Sequence, residues 1–272
     1  MTIVEQSLYQ PVPDMDALRD IKAGYQELQV DEDHPLHDEP LVNITDYGIA
    51  GQAYYSRNNA ATGEPVEGVS ENVYVRRTVA EKLHRINSGL QDSVMKKFFD
   101  GEVELYVEEG LRSVALQTKL YEQVFPDLIR AQQGDVDDDE LERLRSRLIA
   151  KPSANSPHAA SAFDLTLRYR QESRRYVPGA DVQLGQVDGD TSDVVYPDYY
   201  EKNPPKNAIE LLARTNRRAF YAVMTGEAFG EPTGFVNNPT EWWHWGFGDK
   251  LSARIAGQDM AFYSGIDSVH NA

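Results

Sequence analysis

Residues 161–170 read SAFDLTLRYR, with apolar side chains recurring at every second position from Phe163 onward. A period of two belongs to a strand that buries one of its faces. Phe163, Leu165, Leu167 and Tyr169 then point to one side, and Ala162, Asp164, Thr166 and Arg168 to the other. A second alternation, Val103, Leu105 and Val107 against Glu104 and Tyr106, follows the turn residues Asp100 and Gly101 and predicts another strand.

Helical spacing surrounds these two runs. Residues 73–90 carry Val79, Leu83, Ile86 and Leu90 on one face, with Gly89 near the end. SVALQTKLYEQVF (113–125) places Val114, Gln117, Tyr121 and Val124 together until Pro126 punctuates it. A helix over 138–150 shows a Leu141, Leu144 and Leu148 stripe, and its Glu140, Glu142, Arg143, Arg145 and Arg147 read as a solvated face. Residues 207–223 form a further helix built on Ile209, Leu212, Phe220 and Val223. There is no internal repeat and no regular strand–helix cadence. The expected fold is α+β, a single domain with a central antiparallel sheet flanked by helices. The acidic, turn-rich residues 1–40 read as an N-terminal extension and residues 41–272 as the domain.

Composition narrows the function classes. The 272 residues are 40% hydrophobic and 26% charged, enough apolar surface for one sizeable core. The 27 basic residues, nine of them Lys, face 44 acidic ones for a net charge of -17. Such a field repels phosphate backbones, so no nucleic-acid partner is expected. With no Cys, disulfides, thiolate ligands and cysteine nucleophiles are all excluded. No stretch approaches the ~20 apolar residues of a membrane span, so no membrane partner is expected. The N-terminus shows neither a basic start nor an apolar run, and the default location is cytoplasmic.

Six His are available, at 34, 37, 84, 158, 244 and 270. His158 precedes Asp164 by six residues, and His244 follows in NPTEWWHWGFGD (238–249). Two imidazoles and a carboxylate can hold zinc and leave a fourth position open. The same residues also read as hydrogen-bonded structural His and a solvated Asp, since long-range ligand sets have no diagnostic spacing. Glu241 can take and return a proton. Yet residues three apart on a regular strand face opposite ways, so Glu241 and His244 converge only if the chain bends between them. Trp242, Trp243 and Trp245 either wall a cavity or pack the core.

SPHAASAFDLTL (156–167) and NPTEWWHWGFGD together resemble the D-alanyl-D-alanine dipeptidases, a branch of zinc peptidases that also includes D,D-carboxypeptidases and cell-wall endopeptidases. EEGLRSVALQ (108–117) resembles that family's Asp-Gly-Tyr-Arg segment, and VYVRRTVAEKL (73–83) its helix entrance. The resemblance implies one Zn2+ ion on His158, Asp164 and His244, with Glu241 as general base. It gives Arg112 the charge developing on the scissile carbonyl, and gives Gln117 family precedent without a chemical role. The implied partner is a small peptide substrate. The implied activity is hydrolysis of a short dipeptide such as D-alanyl-D-alanine. The alternatives are a D,D-carboxypeptidase or endopeptidase acting on peptidoglycan peptides, and a catalytically weak metal- or ligand-binding homologue. The sequence sets no oligomeric state. Two departures stand out. The family has seven residues from His to Asp with an intervening Gly, where this chain has six and offers Ala160 or Ser161. Leu111 and Glu109 replace the family's Tyr and Asp.

Overall fold

A computed structural model describes residues 3–22, 24–58, 62–152, 160–185 and 193–265. Its strands, in chain order, are β1 Gln29–Val30, β2 Leu41–Asn43, β3 Ala50–Gly51, β4 Tyr74–Arg76 and β5 Val103–Glu109. They continue with β6 Ala162–Tyr169, β7 Val236–Asn237, β8 His244–Gly246 and β9 Met260–Ala261. The helices are α1 Ile3–Ser7, α2 Asp16–Lys22, α3 Arg77–Gly89, α4 Ser93–Phe98 and α5 Val114–Lys119. They continue with α6 Phe125–Gln133, α7 Asp138–Leu148, α8 Tyr199–Lys202, α9 Ala208–Thr225 and α10 Lys250–Ile255.

The central sheet runs β3-β5-β6-β8-β7. Its β5, β6, β8 and β7 are antiparallel, but β3 joins β5 in parallel. The sheet is therefore mixed at one edge, not wholly antiparallel as expected. The chain between β3 and β5 passes through β4 and α3, the long crossover that a parallel pair requires. The fold class is mixed helix and sheet.

Both alternating runs form the long central strands, and their apolar residues make the core. Leu105, Val107, Phe163, Leu165 and Leu167 pack with Val79, Leu83 and Ile86 of α3 and with Phe220 and Val223 of α9. The opposite face is also covered. Arg168, only 1% exposed, pairs with Glu104 directly across β5–β6 and donates to the carbonyls of Ser173 and Arg175. Tyr169, expected on the apolar side, ends the strand exposed.

Three helices differ from expectation, each for a local reason. The 73–90 run begins as strand β4, and α3 starts at Arg77 with the Glu39 carboxylate accepting from Thr78 N–H. Pro126 does not end its helix. A π-turn over Leu120–Val124 widens the backbone where a proline ring would meet the carbonyl four residues back, and α6 continues. In α9, Phe220 and Val223 are buried as expected, whereas Ile209 is 64% and Leu212 50% exposed. Asn216 and Arg217 take the inward positions instead, donating to the carbonyls of Gln183, Leu184, Gly185, Val194 and Tyr196. The described part of the first forty residues folds against the main body. Leu8 lies in the core cluster, and β1 pairs with β9.

Ala160 enters β6 with φ 59, a left-handed conformation that a Cβ disfavours by ~1–2 kcal/mol. Its carbonyl accepts from Arg76 N–H at 2.8 Å. Ala160 and Ser161 are the two positions that the resemblance sets against a glycine. Ala160→Gly relieves the backbone but gives up one buried methyl worth ~0.8 kcal/mol and some chain entropy, so the change in stability should stay within about 1 kcal/mol of zero. Ala160→Val adds branching at the same φ and overpacks the site, and should cost at least ~2 kcal/mol. Urea unfolding of both variants checks this, and equal losses would show that backbone conformation is not what the position demands.

Candidate active site

Register builds the site. Asp164 of β6 lies directly opposite His244 of β8, and on its other side opposite Glu109 of β5. A bulge between Val107 and Glu109 advances β5 by one residue, so Glu109 rather than Glu108 meets Asp164. Glu108 turns aside to pair with Arg57. Glu109, Asp164 and His244 thus form one row across three strands. Asp164 Oδ1 lies 2.9 Å from His244 Nδ1, and both side chains are largely buried.

Glu241 reaches this row because the chain does bend. Residues 238–243 form the turn between β7 and β8, with Glu241 N–H donating to Asn238 O at 3.1 Å and His244 N–H to Glu241 O at 3.3 Å. Asn237 holds the inside of the turn, its Nδ2 donating to the carbonyls of Glu241, Trp242 and His244. Glu241 Oε2 consequently stands 3.6 Å from His244 Nδ1 and accepts from Asn238 Nδ2 at 3.0 Å. Trp242 and Trp245 pack on Phe220 in the core, and Trp243 is half-buried against the same cluster.

Arg112 lies under the other end of the row. Its Nε donates to Glu109 Oε2 at 2.7 Å and its Nη1 to Gln117 Oε1 at 3.1 Å, with Nη2 2.6 Å from the same Glu109 oxygen. Among the described residues these contacts engage three of its five N–H groups. The pairing with Glu109 is compatible with a role at the site, since Arg112 remains within electrostatic reach of Asp164 and Tyr55. Gly110 lets this segment pass close to β4, because a Cβ there would collide with the carbonyl of Tyr74. Fully buried Gln117 has a structural task that its sequence did not disclose: its Nε2 donates to Ala150 O at 2.6 Å, tying Arg112 to the segment that leads toward residue 158.

These groups perturb one another. Burial works to lower His244, but the charge and hydrogen bond of Asp164, with Glu241 and Asp249, hold the imidazole above its ordinary value. Burial pushes Glu109 upward against the pull of Arg112, and Asp164 adds to the rise. Burial also raises the Tyr55 phenol. Lys22, half-buried beside the turn, is lowered by burial and held up by Glu241.

His158 lies outside the described residues. The chosen Asp164, Glu241 and His244 do come together, and Arg112 joins them through Glu109. The sequence offers Arg112 a pairing with Glu108 or Glu109, and Glu109 is the partner found, whereas Tyr55, Asn237, Asn238 and Lys22 were passed over because their positions follow only from register and turn geometry. Among the described residues, the group of three whose ligand atoms, within 4.8 Å of one another, could hold a metal ion is Asp14, Asp16 and Asp198. Lys202 Nζ already sits among them at 2.8, 2.6 and 3.0 Å, filling the place a cation would take. An open surface depression of about 670 Å³, lined by Glu102, Tyr169, Arg170 and Arg174 among others, lies at the far end of β5–β6 and away from the row. No helix among the described residues is long and apolar enough to cross a membrane.

No protein-family model matches the chain, and no curated protein matches it either.

Replacing Gln117 with Leu keeps the volume but leaves Arg112 and the Ala150 carbonyl short of a partner. A loss of ~1–3 kcal/mol is expected, because the orphaned groups stay buried. Denaturant unfolding measures it, and an unchanged midpoint would mean that Gln117 does not hold Arg112 in place.

Proposed function

We propose that the chain is a zinc-dependent dipeptidase, hydrolysing a short dipeptide such as D-alanyl-D-alanine. The observation that carries this reading is the cross-strand pairing of Asp164 with His244, with Glu241 folded back beside them. Tetrahedral zinc with arms of about 2.0–2.2 Å sets its ligand atoms roughly 3.3–3.5 Å apart. Asp164 Oδ1 and His244 Nδ1 stand at 2.9 Å, so a small opening of the pair meets that requirement. One oxygen and one imidazole nitrogen also suit a borderline-soft ion. His158, Asp164 and His244 are the residues assigned to hold it. When bound, zinc supplies a Lewis acid for the peptide carbonyl and acidifies a water at neutral pH.

The chain's own residues divide the remaining work. Glu241 accepts the proton that water loses as its oxygen bonds to the carbonyl carbon. It returns that proton to the amine nitrogen as the C–N bond breaks, so the products are one amino acid with a new carboxylate and one with a free amine. Arg112 directs N–H groups toward the oxygen that gains charge in between. Glu109 and Gln117 fix the guanidinium for that purpose, and the Glu109 charge keeps Arg112 protonated. The overall acidity of the chain disfavours polyanionic substrates and leaves small peptides unaffected.

Hydrolysis of a panel of D- and L-dipeptides, with and without a chelator, tests the reading, and a zinc-replete sample inactive on all of them would sink it. Glu241→Gln should keep zinc and lose ~10²–10⁴-fold in turnover, since Gln preserves hydrogen bonding but cannot accept and return a proton. His244→Ala should lose zinc as well as turnover. Zinc stoichiometry and rate measured on each purified variant separate the two roles. Near-wild-type turnover by Glu241→Gln would remove Glu241 as the base.

A further inference from the structure

The N-terminal segment grips the turn that carries Glu241. From α2, Arg19 Nε donates to Pro239 O at 3.1 Å. Lys22 Nζ donates to Asn238 Oδ1 at 3.1 Å and to Thr240 Oγ1 at 2.8 Å. The helix is itself anchored, since Arg19 pairs with Asp198 and Met15 N–H donates to the same carboxylate at 2.9 Å. The three contacts to the turn join residues more than two hundred positions apart and end on one six-residue segment.

Asn238 is the pivot. A primary amide has an accepting end and a donating end, and the two can exchange by a flip. Here the accepting end, Oδ1, meets Lys22 Nζ, Thr240 N–H at 3.2 Å and the Thr240 hydroxyl at 2.9 Å. The donating end, Nδ2, meets Glu241 Oε2 at 3.0 Å. An ammonium can only donate. A flipped amide would set N–H against the ammonium and a carbonyl oxygen against the Glu241 carboxylate, a clash at both ends. Lys22, together with the Thr240 N–H and the Glu241 carboxylate, therefore sets the sense of the amide, and the amide ties one oxygen of Glu241.

We propose that Lys22 is a positioning residue for Glu241, acting through Asn238. The chain Lys22–Asn238–Glu241 fixes Oε2 and leaves Oε1 to carry the proton. This rests on the dipeptidase reading for its consequence in catalysis, but not for its geometry. The segment expected from sequence to be an extension of the domain thus supplies part of the site's support.

Two readouts keep the inference separate from the function it serves. The first is solvent exchange of the Asn238 side-chain amide protons in the ¹⁵N-labelled protein, which needs no substrate. The second is steady-state hydrolysis of D-alanyl-D-alanine by the zinc-loaded enzyme. In Lys22→Met the amide protons should exchange faster and kcat should fall ~10-fold or more with KM within about twofold, as misplacement of a catalytic group costs rate before binding. Zinc content should not change. Lys22→Arg, which keeps a donor, should recover most of both. Wild-type kcat in Lys22→Met, wild-type amide exchange, or a rise in KM alone would each overturn the proposal. Should Lys22→Met fail to fold, Asn238→Ala breaks the same relay at its middle. The same loss of kcat is expected there, and a wild-type value would overturn it. If the wild-type protein hydrolyses no dipeptide, the dipeptidase reading falls while amide exchange still decides whether Lys22 sets Asn238.

Discussion

Strand register is the constraint on which everything else depends. Asp164 meets His244 only while β6 and β8 keep the pairing that also sets Phe163 opposite Trp245. Side chains alternate, so a slip of one residue would carry His244 to the apolar face and Trp245 to the polar one. Trp245 is buried against Phe220 and Tyr221, and Phe163 against Phe235. Exposing even one such aromatic would cost ~1.5–3 kcal/mol, before counting the His left in the core. The apolar side of the sheet therefore enforces the alignment of the polar side, and the site inherits its precision from the core.

The same logic has an exception on the other flank. Along β5 the regular register would set Glu108 beside Asp164, and the bulge substitutes Glu109. Two neighbouring carboxylates repel unless a cation stands close, and Arg112 stands in contact with Glu109 to supply it. Glu109 and Arg112 are three residues apart and separated by Gly110, which permits the close passage along β4. Bulge, glycine and ion pair thus work as one device that ends the strand and aims the guanidinium.

The parts legible in the sequence are those that rest on local period. The alternation around Asp164 and across Val103–Val107 identified both central strands and placed Asp164 on the polar face. The stripes of α3 and α7 emerged for the same reason. What failed to show was anything decided by a distant carbonyl. The first residues of α9, 208–212, bury nothing, which leaves Ile209 and Leu212 exposed, and further along Arg217 caps four backbone oxygens contributed by 184–185 and 194–196, with burial pushing it down to about 9. The convergence of Glu241 with His244 required a bend that the sequence hinted at only through Pro239, and it is Asn237 that holds it. Gln117 could be noticed but not explained, since its second partner is the carbonyl of Ala150. The parallel edge strand β3 is two residues long and carries no period to read.

Charge finally links the row to its surroundings. Glu109, Asp164, Glu241 and Asp249 all bear on the site, whereas Arg112 and Lys22, the latter lowered by burial, are the cations that face them. Carboxylates thus outnumber fixed cations, and the imbalance explains why His244 is held above its ordinary value although burial pulls the other way. A proton on His244 offsets part of that excess. The two cations make their hydrogen bonds off the His244–Asp164 pair, Arg112 to Glu109 and Lys22 to Asn238 and Thr240, yet Arg112 still reaches Asp164 and Lys22 still reaches Glu241 electrostatically. On the dipeptidase reading, a divalent ion held by Asp164 and His244 would offset the remaining carboxylate excess in place of that proton.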